Sequence, residues 1–227
     1  MMLGKKKTII IESISHNLRN PLYGVLAHIE SAYYNCTDPS LKEKLEIARN
    51  SAYILDFHLN DFFDYSQILL RKIMPFNSLF ELAPAIQQIV DIYRFQMKNK
   101  KLTFIFNYHS IEEISVFTDE CRLKNLLFNL LGTSINCSEK GGLIKLEVRS
   151  EEIENRKIIG FSISFSGRIF SQEELNDILK LTLSSQVDFN PTLMGMSFGL
   201  PISFYVAKML SSTLDEPGIK ISLGNEK

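Results

Sequence analysis

Residues 41–69 read LKEKLEIARNSAYILDFHLNDFFDYSQIL, and they decide the fold of the first part of the chain. Apolar or small side chains recur here at alternating spacings of four and three residues, with one polar break at Ser66. They are Leu41, Leu45, Ala48, Ala52, Leu55, Leu59, Phe62, Ser66 and Leu69. This spacing is a heptad seam, which predicts a long helix that packs along other helices.

The stretch before this seam predicts a second long helix. Its apolar stripe consists of Ile14, Leu18, Leu22, Val25, Ile29 and Ala32. Between the two helices, Asp38 or Thr37 suits an N-cap and Pro39 suits the first helical turn. So short a connection predicts an antiparallel hairpin. Because one hairpin would leave apolar surface in water, we expect two copies to form a four-helix bundle, and hence a homodimer.

After Met74-Pro75 the pattern changes to shorter segments, which predicts a hinge followed by an α/β domain. The predicted helices are 83–98, 120–137, 172–181 and 198–210, and the predicted strands are 102–108, 143–149, 158–165 and 219–223. We therefore divide the chain into a helical hairpin at 1–73 and a second domain at 74–227.

The composition limits the classes of partner. The 25 Lys and Arg are balanced by 26 Asp and Glu, so no excess positive charge is available to bind nucleic acid. The three cysteines, Cys36, Cys121 and Cys137, lack the spacing of a disulfide framework or a metal site. The apolar run 9–11 ends at Glu12, so we predict neither a signal peptide nor a membrane span. A cytoplasmic location is expected, and flanking segments remain an alternative route to a membrane.

A short motif on the predicted first helix carries the candidate chemistry. Residues 15–22 are Ser-His-Asn-Leu-Arg-Asn-Pro-Leu. His16 falls roughly 170° from the centre of the apolar stripe at about 100° per residue, so an outward position is predicted. Asn20 lies on nearly the same face. A neutral imidazole is a competent nucleophile near neutral pH, so His16 is a candidate nucleophile. The alternative is a solvated surface histidine.

The motif resembles the H-box of two-component histidine kinases, usually written S-H-E-L-R-T-P-L. The resemblance implies that His16 accepts a phosphoryl group, and that Asn20 orients water for dephosphorylating the aspartate of a response-regulator receiver domain. In the family an acidic residue follows the histidine and assists attack on ATP, whereas Asn17 cannot take up a proton. The motif therefore favours phosphotransfer and receiver dephosphorylation over autophosphorylation.

The resemblance continues through most of the chain and implies an ATPase-like domain of the GHKL or Bergerat type. The expected fold class is thus a helical hairpin followed by an α/β sandwich. Residues 119–131 resemble the approach to the N-box, with Asn129 at its first asparagine. Thr133 stands where the family has the asparagine that coordinates Mg²⁺, and Asn136 stands where it has a lysine or arginine. A hydroxyl is a weaker ligand than an amide oxygen.

The G1 box of the family, D-x-G-x-G, aligns with Phe-Ser-Gly-Arg-Ile at residues 165–169. Gly167 is retained, and the third defining position is Ile169. The family aspartate accepts a hydrogen bond from the adenine amino group, whereas Phe165 offers no acceptor. Loss of a designed polar contact of this kind reduces discrimination by roughly 10⁴-fold or more.

The G2 box aligns with residues 195–202, where Gly195 and Gly199 remain and Ser197 replaces the middle glycine. Glycines in such loops let backbone amides approach phosphates, although an ordinary turn into a helix would account for them equally well. The implied relic of an ATP pocket consists of Asn129, Thr133, Gly167, Gly195 and Gly199.

The sequence therefore predicts a dimeric phosphorelay protein whose His16 exchanges phosphoryl groups with a receiver aspartate. The ATPase-like domain is expected to be a pseudokinase relic that supports the hairpin, without a metal or another cofactor. Two alternatives stay open. One is an active ATP-dependent sensor histidine kinase with divergent motifs, which would use Mg-ATP. The other is a non-catalytic dimeric scaffold.

Overall fold

The structure, a computed structural model, describes residues 2–107, 114–153, 156–168, 171 and 199–210. The chain divides into two compact units, Met1–Met74 and Pro75–Lys227. The first unit is a hairpin of two long helices, α1 (Met2–Asn35) and α2 (Pro39–Leu69). Within the described ranges, no helix is both long and apolar enough to cross a membrane.

The turn of the hairpin forms as predicted. Asp38 is the N-cap of α2, and its side chain accepts a hydrogen bond from the backbone N–H of Ser40 at 2.9 Å. Pro39 occupies the first helical turn, where the missing N–H of proline leaves no hydrogen bond unmade.

The core of the hairpin uses only part of each predicted stripe. Leu22 and Leu26 of α1 are buried against Ala52 and Leu59 of α2. The stripe predicted on α1 was therefore partly wrong, since it omitted Leu26. Several stripe residues of both helices stay about half exposed: Ile14, Leu18 and Val25 on α1, and Leu41, Leu55 and Phe62 on α2. The apolar face of a heptad repeat is formed by two rows of side chains. The contact between α1 and α2 buries one row, and the other row stays about half exposed.

The described part of the second unit contains five strands and three helices. Its elements are β1 (Ser78–Glu81), α3 (Leu82–Asn99), β2 (Thr103–Asn107), β3 (Ser115–Thr118), α4 (Glu120–Cys137), β4 (Leu143–Ile153), β5 (Arg156–Phe165) and α5 (Gly199–Leu210). Three predicted helices and three predicted strands are confirmed to within a few residues. The predicted helix at 172–181 and strand at 219–223 lie outside the described residues.

The described strands form two sheets. In one, β4 lies between β2, to which it is parallel, and β5, to which it is antiparallel. In the other, β1 pairs with β3 as an antiparallel ribbon in which Leu79 lies opposite Phe117. The ribbon was not predicted, because strands of four residues are too short to show a clear period.

Close contacts join α3 to α4. The rings of Tyr93 and Phe128 stack with centroids 4.9 Å apart, and the Tyr93 hydroxyl donates a hydrogen bond to the Phe128 carbonyl at 3.2 Å. A Cβ on Gly132 would collide with the Tyr93 hydroxyl, so this helical glycine is required by packing.

Charged side chains hold both ends of α4. Asp119, 2% exposed, accepts hydrogen bonds from the backbone N–H groups of Arg122 at 3.0 Å and Phe76 at 2.8 Å, and pairs with the Arg122 guanidinium at 2.5 Å. At the other end, the Lys100 ammonium donates to the Ile135 carbonyl at 2.6 Å. Both charges oppose the partial charges of the helix ends, so α4 is stabilised at each terminus.

The buried charge of Asp119 can be tested against an exposed cap. Asp119→Asn keeps a capping oxygen but leaves the Arg122 guanidinium without its carboxylate, so we expect a loss of about 1–3 kcal/mol in the free energy of unfolding. Asp38→Asn makes the same change at the exposed cap of α2 and should cost less than about 0.5 kcal/mol. Urea unfolding of both variants measures the difference, and equal losses would contradict this account of α4.

Candidate functional site

His16 lies in the α1 turn that precedes Pro21. The helix is continuous through this proline, so the backbone of the motif is helical as predicted. The side chain of His16 lies outside the described part of the structure, and its outward orientation stays a prediction. The neighbouring side chains of Asn17 and Asn20 are exposed, which gives a partner access to this surface of the helix.

Arg19 connects the motif to α2. Its Nη2 donates a hydrogen bond to Oδ1 of Asn60 at 2.9 Å, and its guanidinium carbon lies 5.5 Å from the centre of the Phe63 ring. Asp56, which attracts Arg19 electrostatically, accepts a hydrogen bond from Tyr23. Burial raises the pKa of Asp56 above its ordinary value, and the contacts with Arg19 and Tyr23 oppose that rise. We call these five residues the Arg19 cluster.

The sequence analysis missed the Arg19 cluster, although a signal was present. Asp56, Asn60 and Phe63 are spaced by four and three residues, so they share one face of α2. That spacing alone could not show which residue of α1 would lie opposite, because Arg19 is 41 residues away from Asn60 in the chain.

In the second unit, the predicted nucleotide residue Asn129 is buried where α4 packs against α5. It is 2% exposed, and its Nδ2 donates a hydrogen bond to the Ser203 hydroxyl at 3.1 Å. That hydroxyl donates to the Gly199 carbonyl at 2.8 Å. A Cβ on Gly199 would occupy the space of the Asn129 side chain. The structure thus brings Asn129 and Gly199 together through helix packing.

Thr133 lies one turn after Asn129 and is also buried. Its hydroxyl donates a hydrogen bond to the Asn129 carbonyl at 2.8 Å, so its one proton is used within its own helix. The described ranges contain no group of three or more His, Cys, Asp or Glu residues that could hold a metal ion.

Gly167 lies elsewhere, where the chain leaving β5 crosses the end of α4. It forms an isolated bridge with Ser138, and a Cβ on Gly167 would come within 2.7 Å of the Ser138 Cα and 2.8 Å of the Glu139 nitrogen. This close approach of two backbones requires glycine. Ser138 is nine residues beyond Asn129, about 13 Å along a helix. Gly195 lies outside the described residues, so the nucleotide site as a whole stays a prediction.

The helical hairpin matches the family model of the His Kinase A (phospho-acceptor) domain over residues 6–70. That range contains the whole motif at 15–22 and all five residues of the Arg19 cluster.

Two curated relatives span most of the chain. Hybrid signal transduction histidine kinase B of Dictyostelium discoideum is 28% identical over 211 residues, which cover 91% of this chain and 10% of that protein. The autoinducer 2 sensor kinase/phosphatase LuxQ of Vibrio parahaemolyticus is 23% identical over 202 residues, which cover 88% of this chain and 23% of that protein. The chain therefore spans only a tenth to a quarter of the length of these relatives.

A solved structure supports the fold. Full-length ShkA in complex with AMPPNP is 17% identical, with a TM-score of 0.51, and the likeness covers 88% of this chain and 41% of that chain. Residues 6–70 therefore belong to the His Kinase A domain family, and these likenesses together support a two-component histidine kinase core in which this hairpin is followed by an α/β domain.

Proposed function

We propose that the chain acts in a phosphorelay by exchanging phosphoryl groups between His16 and the aspartate of a response-regulator receiver domain. The α/β domain then serves as support and docking surface rather than as an ATP-dependent kinase. The observation that carries this proposal is the H-box at residues 15–22 within a His Kinase A domain, in which exposed Asn17 stands at the acidic position.

The transfer needs only the groups already named. A neutral nitrogen of the His16 imidazole attacks the phosphorus of a receiver aspartyl phosphate. The new N–P bond forms as the P–O bond to the aspartate breaks, and the carboxylate is the leaving group. The reverse transfer uses the same bonds. In receiver dephosphorylation, water attacks that phosphorus instead, and the exposed amide of Asn20 orients the water.

The contacts around Asn129 support a loss of nucleotide chemistry. The amide of Asn129 is engaged by Ser203, and Gly199 abuts the same amide. The Thr133 proton is directed to its own helix. Asn129, Thr133 and Gly199 are all buried, which supports the proposal that they no longer contact a metal-bound phosphate.

Transfer to His16 can be tested with isolated receiver domains phosphorylated by radiolabelled acetyl phosphate. The wild-type chain should acquire an acid-labile label, and His16→Gln should abolish it because the nucleophile is gone. His28→Gln removes another histidine from α1, exposed in the structure, and should leave the label unchanged. Label that persists in His16→Gln would contradict the assignment.

An active ATP-dependent kinase is the second candidate, favoured by the contact between Asn129 and Gly199, two residues of the predicted pocket. A thermal-unfolding titration with Mg-ATP separates the two functions. We expect no shift of the unfolding temperature at millimolar nucleotide. If the domain did bind Mg-ATP, a nucleotide concentration of 100 times the dissociation constant would stabilise it by about 2.7 kcal/mol. A histidine kinase domain that binds ATP serves as the positive control. A saturable shift would contradict the loss of nucleotide binding and would favour the second candidate.

The half-exposed edge of the hairpin supports the predicted homodimer. His Kinase A domains function as dimers, and this hairpin leaves apolar side chains of both helices in contact with water. Burying them against a second copy would remove that unfavourable exposure, as in a four-helix bundle.

Two leucine variants test this pairing. Leu55 on α2 is 50% exposed, and Leu55→Glu would place a charge within the bundle, so it should shift the protein from dimer to monomer. Leu79 on β1 is 72% exposed, and Leu79→Glu should leave the dimer intact. Size-exclusion chromatography with light scattering measures both masses. A monomeric wild type, or a dimeric Leu55→Glu variant, would count against the bundle.

A further inference from the structure

The Arg19 cluster restrains a cation three residues after the proposed phosphoacceptor in the sequence. Long arginine side chains on a helix surface ordinarily sample many rotamers. Here the guanidinium donates a hydrogen bond to Asn60 and lies over the face of Phe63, so two residues of α2 restrain it. The carboxyl of Asp56 attracts it as well. Arg19 follows His16 by three residues, and residues three apart are neighbours on a helix surface.

We propose that Asn60 is a positioning residue for phosphotransfer at His16, which rests on the proposed function above. Asn60 holds the guanidinium of Arg19 next to the phosphoacceptor, so that the cation meets the phosphoryl group as it arrives. The second helix thereby takes part in the chemistry of the first, through one side-chain contact at 2.9 Å.

The chemistry of the two groups fits this role. A phosphoryl group carries a charge of about −1.5 to −2 and three strong acceptor oxygens. A guanidinium has five N–H donors in a rigid fork, so one donor can bind Asn60 while others remain for phosphoryl oxygens. A cation that is already held in place loses less conformational entropy when the phosphoryl group arrives.

Asp56 balances this arrangement. Its carboxyl attracts Arg19 towards α2, and Tyr23 also donates a hydrogen bond to it. The hydrogen bond that Arg19 Nη2 donates to Oδ1 of Asn60 fixes the direction of the guanidinium, so the positioning contact is assigned to Asn60.

The test uses potassium phosphoramidate as phosphodonor with the full chain, so that no cognate receiver is required. A His16 nitrogen attacks the phosphorus, the P–N bond of the donor breaks, and ammonia leaves. The proton displaced from the resulting imidazolium passes to solvent. The measured quantity is the second-order rate constant for acid-labile phosphate on His16, with His16→Gln as the blank.

Four variants isolate the contact. Asn60→Leu removes the acceptor and should slow phosphorylation about tenfold, the effect expected from losing one charge-assisted hydrogen bond. Asn60→Asp restores an acceptor oxygen and should recover the rate to within about threefold. Arg19→Gln should slow the reaction at least as much as Asn60→Leu. The double variant Asn60→Leu/Arg19→Gln should be no slower than Arg19→Gln alone, because Asn60 acts through Arg19.

Tyr53→Phe is the matched structural control. The Tyr53 hydroxyl donates a hydrogen bond to Glu30 across the same hairpin, and it belongs to a different interhelical contact from that of Arg19. Its loss should affect the free energy of unfolding in urea but not the phosphorylation rate. If Asn60→Leu does not fold, the rate of the Arg19→Gln variant is compared with that of the double variant Asn60→Asp/Arg19→Gln instead.

The outcomes separate the two claims. Wild-type protein that acquires no label on His16 overturns both the proposed function and this inference. A labelled wild type with an equal rate in Asn60→Leu overturns the inference alone. An Asn60→Asp variant as slow as Asn60→Leu, or a double variant in which the two losses multiply, would also overturn it.

Discussion

The antiparallel packing of α1 against α2 is the contact on which the proposed phosphotransfer surface depends. Leu22 and Leu26 meet Ala52 and Leu59 along one edge of a heptad seam. That packing sets the register in which Arg19 lies opposite Asn60, and it leaves the apolar side chains of the other edge about half exposed. We therefore propose that dimerisation and phosphotransfer use different sides of one hairpin.

In the second unit, several residues that the resemblance assigns to a nucleotide pocket take part in helix and backbone packing. Asn129 and Gly199 are retained, yet their contacts are with other residues of α4 and α5. Gly167 is required by the backbone at the end of α4. Glycines and polar residues at family positions are thus explained by packing, and their retention alone is weak support for nucleotide binding.

Local features of the sequence predicted the structure best. The Asp38 cap and the bounds of α4 follow from neighbouring residues, so they were predicted correctly. The β1–β3 ribbon and the contact between Arg19 and Asn60 join distant segments, and a single sequence carries no record of which segments meet. Leu26 was missed for a related reason, since the stripe on α1 is wide and the sequence could not show which edge faces α2.

The phosphoryl group is proposed to reach His16 from a receiver aspartate rather than from ATP. The most direct test is mass-spectrometric mapping of phosphohistidine after incubation with a phosphorylated receiver or, in parallel, with Mg-ATP. The account predicts phosphate on His16 from the receiver and none from Mg-ATP. Phosphate on His16 from Mg-ATP alone, or on no histidine from either donor, would contradict it.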